Sequence, residues 1–153
     1  MKKSILFLVF GFILIAGCSK KIQPDYNAEV SFQSKGVDGT MTVRSFGYGK
    51  NDEEAIADSH KNALSVILFK GLPGSEVRVP LVENEYNSKN ANPNYFKNLF
   101  ENGYSKTFIM STEVVSPLTK YNNTKRLIVN LQININSLRR DLEINKVIRK
   151  FGY

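Results

Sequence analysis

An α+β domain is predicted: an antiparallel sheet with helices packed on one face, in the order strand, helix, hairpin, helix. Three observations predict it. Leu127, Val129, Leu131, Ile133 and Ile135 alternate with Arg126, Asn130, Gln132 and Asn134, the mark of a strand with one dry and one wet face. Asn51-Asp52-Glu53-Glu54 opens a helix with a capping residue and three acids at the positive end of its dipole. Tyr121-Asn122-Asn123-Thr124 carries the residues a tight hairpin turn needs.

The elements follow in chain order. Thr40 to Phe46 alternates and is β-branched, and reads as a strand closed by Gly47-Tyr48-Gly49. The helix from Asn51 should run to Lys70, burying Ala55, Ile56, Ala63, Leu64, Ile67 and Leu68. Gly71, Leu72 and Pro73 stop it. Residues 74–104 read as a loop insertion. Within it, Val77, Val79, Leu81 and Val82 suggest a short strand limited by Pro80, Glu83 to Pro93 is polar, and Asn94 to Phe100 spaces its aromatics for one helical face. Lys106 to Val115 is the next strand, and Pro117 and Asn122-Asn123 mark the turn. After the alternating strand, Asn136 or Ser137 should cap a last helix whose Leu138 and Leu142 point inward.

Residues 18–38 are sparse in apolar side chains and read as a tether, so the domain is expected over 39–153. Residues 1–17 have the layout of a secretory signal: Lys2 and Lys3, then an apolar run from Ile5 to Ile15, too short for a comfortable membrane span. The run ends in Ile15-Ala16-Gly17-Cys18, which resembles the bacterial lipobox. The resemblance implies a diacylglyceryl thioether on Cys18, cleavage before it and acylation of the new terminus, enough for stable anchoring. Cys18 is the one cysteine of the chain, so a lipidated Cys18 leaves no thiol for catalysis or a disulfide. An ordinary signal ending at a chance Cys, or an N-terminal membrane helix, are the competing readings. Ser19 after the Cys suits the outer membrane, and Lys20-Lys21 without an acidic cluster suits its periplasmic face.

The formal net charge is +7 over 153 residues. Loss of Lys2 and Lys3 with a signal leaves about +5, scattered along the chain, which is a weak motive for nucleic acid and a better one for anionic lipid or acidic proteins.

"GYGKNDEEAIADSHKNAL" resembles the start of the LPP20-like lipoprotein domain and of a flagellar-assembly N-terminal domain. There a Gly-ended strand precedes a helix with Ala at close-packing positions, here Ala55, Ala57 and Ala63. Size, lipobox and an Asn-, Lys- and Ile-rich composition are also similar to small Bacteroidota envelope lipoproteins, including accessory lipoproteins of type VI secretion machines. Neither likeness implies catalytic residues.

Little else suggests chemistry. His60 is the single histidine; Asp58 and Ser59 precede it, but neighbouring helical residues point in different directions and cannot form a triad. One His and no free Cys are poor metal ligands, and Gly47-Tyr48-Gly49 lacks a phosphate loop's spacing. No cofactor, nucleic acid or small-molecule substrate is therefore expected. The aromatics of the insertion, Tyr86, Tyr95, Phe96, Phe100 and Tyr104, together with Arg139, Arg140, Arg149, Phe151 and Tyr153, are the candidate partner surface; the competing reading is that the aromatics cover the sheet. The expectation is a lipid-anchored, periplasm-facing, non-catalytic adaptor in an envelope assembly, such as a type VI secretion system, bound to the membrane and to other envelope proteins. The alternative is an envelope enzyme, such as a cell-wall hydrolase, using the loop carboxylates Glu83 and Glu85.

Overall fold

The structure is a computed structural model that describes residues 29–150. Cys18, the segment that precedes residue 29, and Phe151 and Tyr153 lie outside the described residues. The chain forms one α+β domain. In order its elements are β1 (Val30–Lys35), β2 (Thr40–Gly49), α1 (Asp52–Phe69), α2 (Glu85–Ala91), α3 (Pro93–Phe100), a 3-10 turn (Tyr104–Thr107), β3 (Ile109–Tyr121), β4 (Thr124–Asn134) and α4 (Ile135–Ile144). The sheet is antiparallel throughout, in the order β1-β2-β4-β3.

β1 corrects the expected tether. Val30 and Phe32 face the core and pair with Ser45 and Val43, while Ser31, Gln33, Ser34 and Lys35 stay exposed. An edge strand needs few apolar residues, so its composition resembles a linker. Its turn is made by Asp38 (φ 53°) and Gly39 (φ 73°), a left-handed pair that Asp-Gly adopts at low cost. The folded domain thus takes in residues the sequence reading assigned to 18–38.

β2 is central and reaches Gly49, beyond the predicted end at Phe46. A Cβ on Gly47 would overlap the Ala55 carbonyl, so the glycine lets α1 lie directly on the strand backbone. Asn51 caps α1, its Oδ1 accepting from Glu54 N–H at 2.9 Å, and Glu54 Oε2 accepts from Lys50 N–H at 2.9 Å. Ala55 and Ala63 are buried as expected; Ala57 is exposed.

Past β1's first residue, one edge of β2 has no strand partner. Side chains of α1 serve instead: Tyr48 N–H donates to Asp58 Oδ2 (3.0 Å), and Asn62 Nδ2 donates to the Phe46 carbonyl (2.9 Å) and to Asp58 (3.2 Å). Burial pushes the Asp58 carboxyl above its usual range, against these hydrogen bonds.

Residues 77–82 are not a strand. Leu81 and Val82 N–H instead donate to the Ile67 and Leu68 carbonyls at the C-terminal end of α1 (3.3 and 2.9 Å), groups the helix cannot satisfy itself. The stretch predicted as polar loop contains α2, capped by Asn84. β3 starts later than predicted and passes through Pro117 with three irregularities in register, which an edge strand tolerates. The turn falls at Tyr121–Thr124, with Asn122 at φ 50°. Asn134, rather than Asn136 or Ser137, caps α4, accepting from Ser137 N–H at 2.9 Å.

Leu127, Val129, Leu131, Ile133 and Ile135 are all buried, as the alternation requires. The opposite face of the sheet is half-exposed. There Arg44 Nε donates to Asn130 Oδ1 (3.2 Å), and the Arg126 guanidinium lies 3.9 Å from the Tyr121 ring centre and 4.9 Å from that of Phe46.

Candidate functional site

The insertion wraps the last helix. Leu138 and Leu142 anchor α4 in the core, which leaves two flanks to meet the insertion. The end of the insertion meets one flank, and its beginning meets the other.

On the first flank, Asp141 accepts from two tyrosines. Tyr95 OH donates to Oδ2 at 2.8 Å and Tyr104 OH to Oδ1 at 2.7 Å. Burial and the carboxylate together hold the Tyr95 hydroxyl well above its usual range; for the exposed Tyr104 the hydrogen bond to Asp141 is the larger cause of a rise. Both phenols are therefore neutral donors, tying α3 and the 3-10 turn to α4.

Behind this clamp the aromatics form one cluster. Phe96 is buried and stacks on Phe100, with ring centres 6.3 Å apart, and both lie beside Phe69 of α1. Lys89 Nζ sits 4.9 Å from the Phe69 centre. Phe96 is therefore a core residue rather than a contact surface, and Phe100 is half-buried against the core. Tyr86, by contrast, is 76% exposed on α2 and belongs to neither group. Five aromatics read together in the sequence thus separate into two core members, two clamp members and one free ring. Helical spacing around Pro93 carried that division: Phe96 and Leu99 share the inner face of α3.

On the second flank a cleft of about 590 Å³ opens between residues 76–84 and residues 139–149. Its apolar lining is Val79, Pro80, Leu81, Val147 and Ile148. Val79 is 67% exposed. Arg139 and Arg149 line it, with Glu76, Glu83 and Glu143. Arg139 Nε is buried and has no hydrogen-bond partner among the described residues. A buried donor without a partner is costly unless something else supplies an acceptor. The structure thus joins two predicted arginines to the insertion; Arg140 is exposed and is not part of the cleft lining. The contribution of Val79 was not legible, because residues 77–82 read as a strand.

Glu83 and Glu85 do not converge. Glu85 accepts from Lys89 Nζ at 2.7 Å and lines a different groove, between α1 and the α2–α3 pair. His60 is buried, with Nε2 3.0 Å from Thr112 Oγ1. Burial, with some help from Lys106, pushes its pKa down to about 4. The side chain is a neutral core imidazole. Among the described residues no group of three or more His, Cys, Asp or Glu is placed to hold a metal ion, and no helix is long and apolar enough to cross a membrane.

Comparison with known proteins finds no match among family models, curated proteins or solved structures.

Proposed function

We propose that the chain is a non-catalytic adaptor, held at the periplasmic face of the outer membrane by a lipid on Cys18, that seats a segment of another envelope protein in the α4 cleft. The observation that carries this reading is the cleft itself. It sets the exposed Val79 and the part-buried Leu81, Val147 and Ile148 in one lining with two arginines, one of which has a buried N–H without a partner among the described residues. Such a mixture of apolar floor and charged rim suits a protein segment. The partner is an element of an envelope assembly, a type VI secretion machine being one such assembly. The rival reading, a cell-wall hydrolase, depended on a Glu83–Glu85 pair, and those carboxylates stand in separate grooves.

Two variants test the proposal. Cys18→Ser should lose fatty-acid labelling and leave the membrane fraction or remain unprocessed; continued labelling would contradict the anchor. Arg139→Glu should remove specific envelope proteins from those that co-purify with the wild type. An unchanged set of co-purifying proteins would contradict the cleft.

A further inference from the structure

A second hollow lies on the clamp side of α4, away from the cleft, and its chemistry is different. It has a volume of about 670 Å³ and is lined by Asn94, Asn98, Asn102, Asn145, Tyr95 and Tyr104, with Thr107 and Gly103 completing it. No Lys, Arg, Asp or Glu lines it, in a chain in which charged residues make up 23%. We propose that this hollow is a binding site for a neutral saccharide chain.

The arrangement fits such a ligand for three reasons. Sugar hydroxyls donate and accept at the same oxygen, and a carboxamide offers both functions side by side without charge. Asn94 and Asn98 are one helical turn apart on α3, and Asn102 continues the row past the helix end. It is held in line by its Nδ2 donating to Asn98 Oδ1 at 2.7 Å. Asn98 and Asn102 thus form one bonded pair a helical turn from Asn94, and each amide keeps donor and acceptor capacity for a ligand.

The two tyrosines supply the rest. Their hydroxyl hydrogens are committed to Asp141, which leaves each phenol oxygen able to accept but not to donate. Their rings stand nearly perpendicular, 83° apart with centres separated by 6.4 Å, and can pack against the apolar C–H faces of a sugar. Because Asp141 already fixes both side chains, little ordering is required when a ligand arrives. Asn145 is fixed likewise, its Nδ2 donating to the Asp141 carbonyl at 2.9 Å. The lining offers no cation to an anionic ligand and no carboxylate to a cationic one.

The test uses the full-length protein in a detergent without a sugar headgroup, titrated calorimetrically with tetra-N-acetylchitotetraose, cellotetraose and polygalacturonate. Saturable binding of at least one neutral tetrasaccharide is expected; the N-acetylated and plain arms show whether acetamido groups are required. Asn98→Ala should weaken that binding about tenfold, the loss typical of a ligand hydrogen bond. Asn98 is exposed, so its circular dichroism and melting should stay as in wild type. Asn90→Ala, exposed on α2 outside the hollow, should bind as wild type does. Failure of both neutral saccharides to bind, binding of polygalacturonate alone, or an Asn98→Ala variant of undiminished affinity would each overturn the proposal.

Discussion

Acidification should destabilise this domain through one residue, His60. In the folded state its pKa lies near 4, and in the unfolded chain it returns to the ordinary value of 6.5. Between these values the unfolded chain binds a proton that the folded chain does not. Stability therefore rises with pH across that window: the contribution is fully present above about 6.5 and is lost as pH falls toward 4. At about 1.4 kcal/mol per pH unit, the whole window is worth roughly 3 kcal/mol, a large share of a small domain's stability. Asp58 acts in the opposite sense. Its raised carboxyl favours the folded state at acid pH, so the net curve of the wild type is flatter than His60 alone would make it. A difference measurement isolates the histidine. His60→Gln keeps a hydrogen-bonding group for Thr112 and removes the titration. Urea unfolding of both proteins, followed by circular dichroism at pH 7.5, 5.5 and 4.5, gives the stability gap at each pH. The account expects wild type to lose about 2–3 kcal/mol relative to His60→Gln between the extremes. A gap that does not change with pH would refute it, and would mean that the imidazole is solvated or paired when charged.

Three further outcomes follow from the packing. Leu131→Ala should cost roughly 2–5 kcal/mol, because its side chain is wholly buried, while Asn130→Ala on the wet face should cost about 1 kcal/mol or less; chemical denaturation of both variants checks the contrast. Gly47→Ala should destabilise by about 1–3 kcal/mol or more, since α1 must move off the β2 backbone, and a thermal midpoint within error of wild type would show that the helix sits higher. Tyr95→Phe deletes a hydroxyl bound to a carboxylate and should cost about 1–3 kcal/mol, measured in the same denaturation assay; an unchanged midpoint would mean the clamp adds nothing.

The elements legible in the sequence were those whose own residues determine them. α1 carries its cap, its acidic first turn and its glycine stop within the segment, and β4 carries its alternation. β1 was missed because an edge strand of six residues buries two apolar side chains and otherwise reads like a linker. Asp38-Gly39 was the signal available, a hairpin dipeptide that would have placed a strand before β2. The stretch 77–82 was misread because β-branched residues suit a strand, whereas here the Leu81 and Val82 N–H groups are held by helix carbonyls rather than by a strand partner. Arg139 and Arg149 were visible as members of a basic rim, but their place opposite Val79 depends on the path of the insertion, a long-range property that no local pattern encodes. The row Asn94, Asn98, Asn102 has a four-residue spacing in the sequence, but its closure by Tyr104, Thr107 and Asn145 depends on the path of the chain.

The central claim is that the α4 cleft seats another envelope protein, and a photo-crosslinking amino acid tests it most directly. One probe replaces Val79, 67% exposed in the cleft, and a second replaces Val37, 77% exposed in the β1–β2 turn outside the cleft lining. Both are expressed in the native envelope from the full-length chain. The account predicts a discrete heavier adduct from the Val79 probe that disappears in an Arg139→Glu background, and no such adduct from Val37. No adduct from Val79, the same adducts from both positions, or an adduct that survives Arg139→Glu would contradict it.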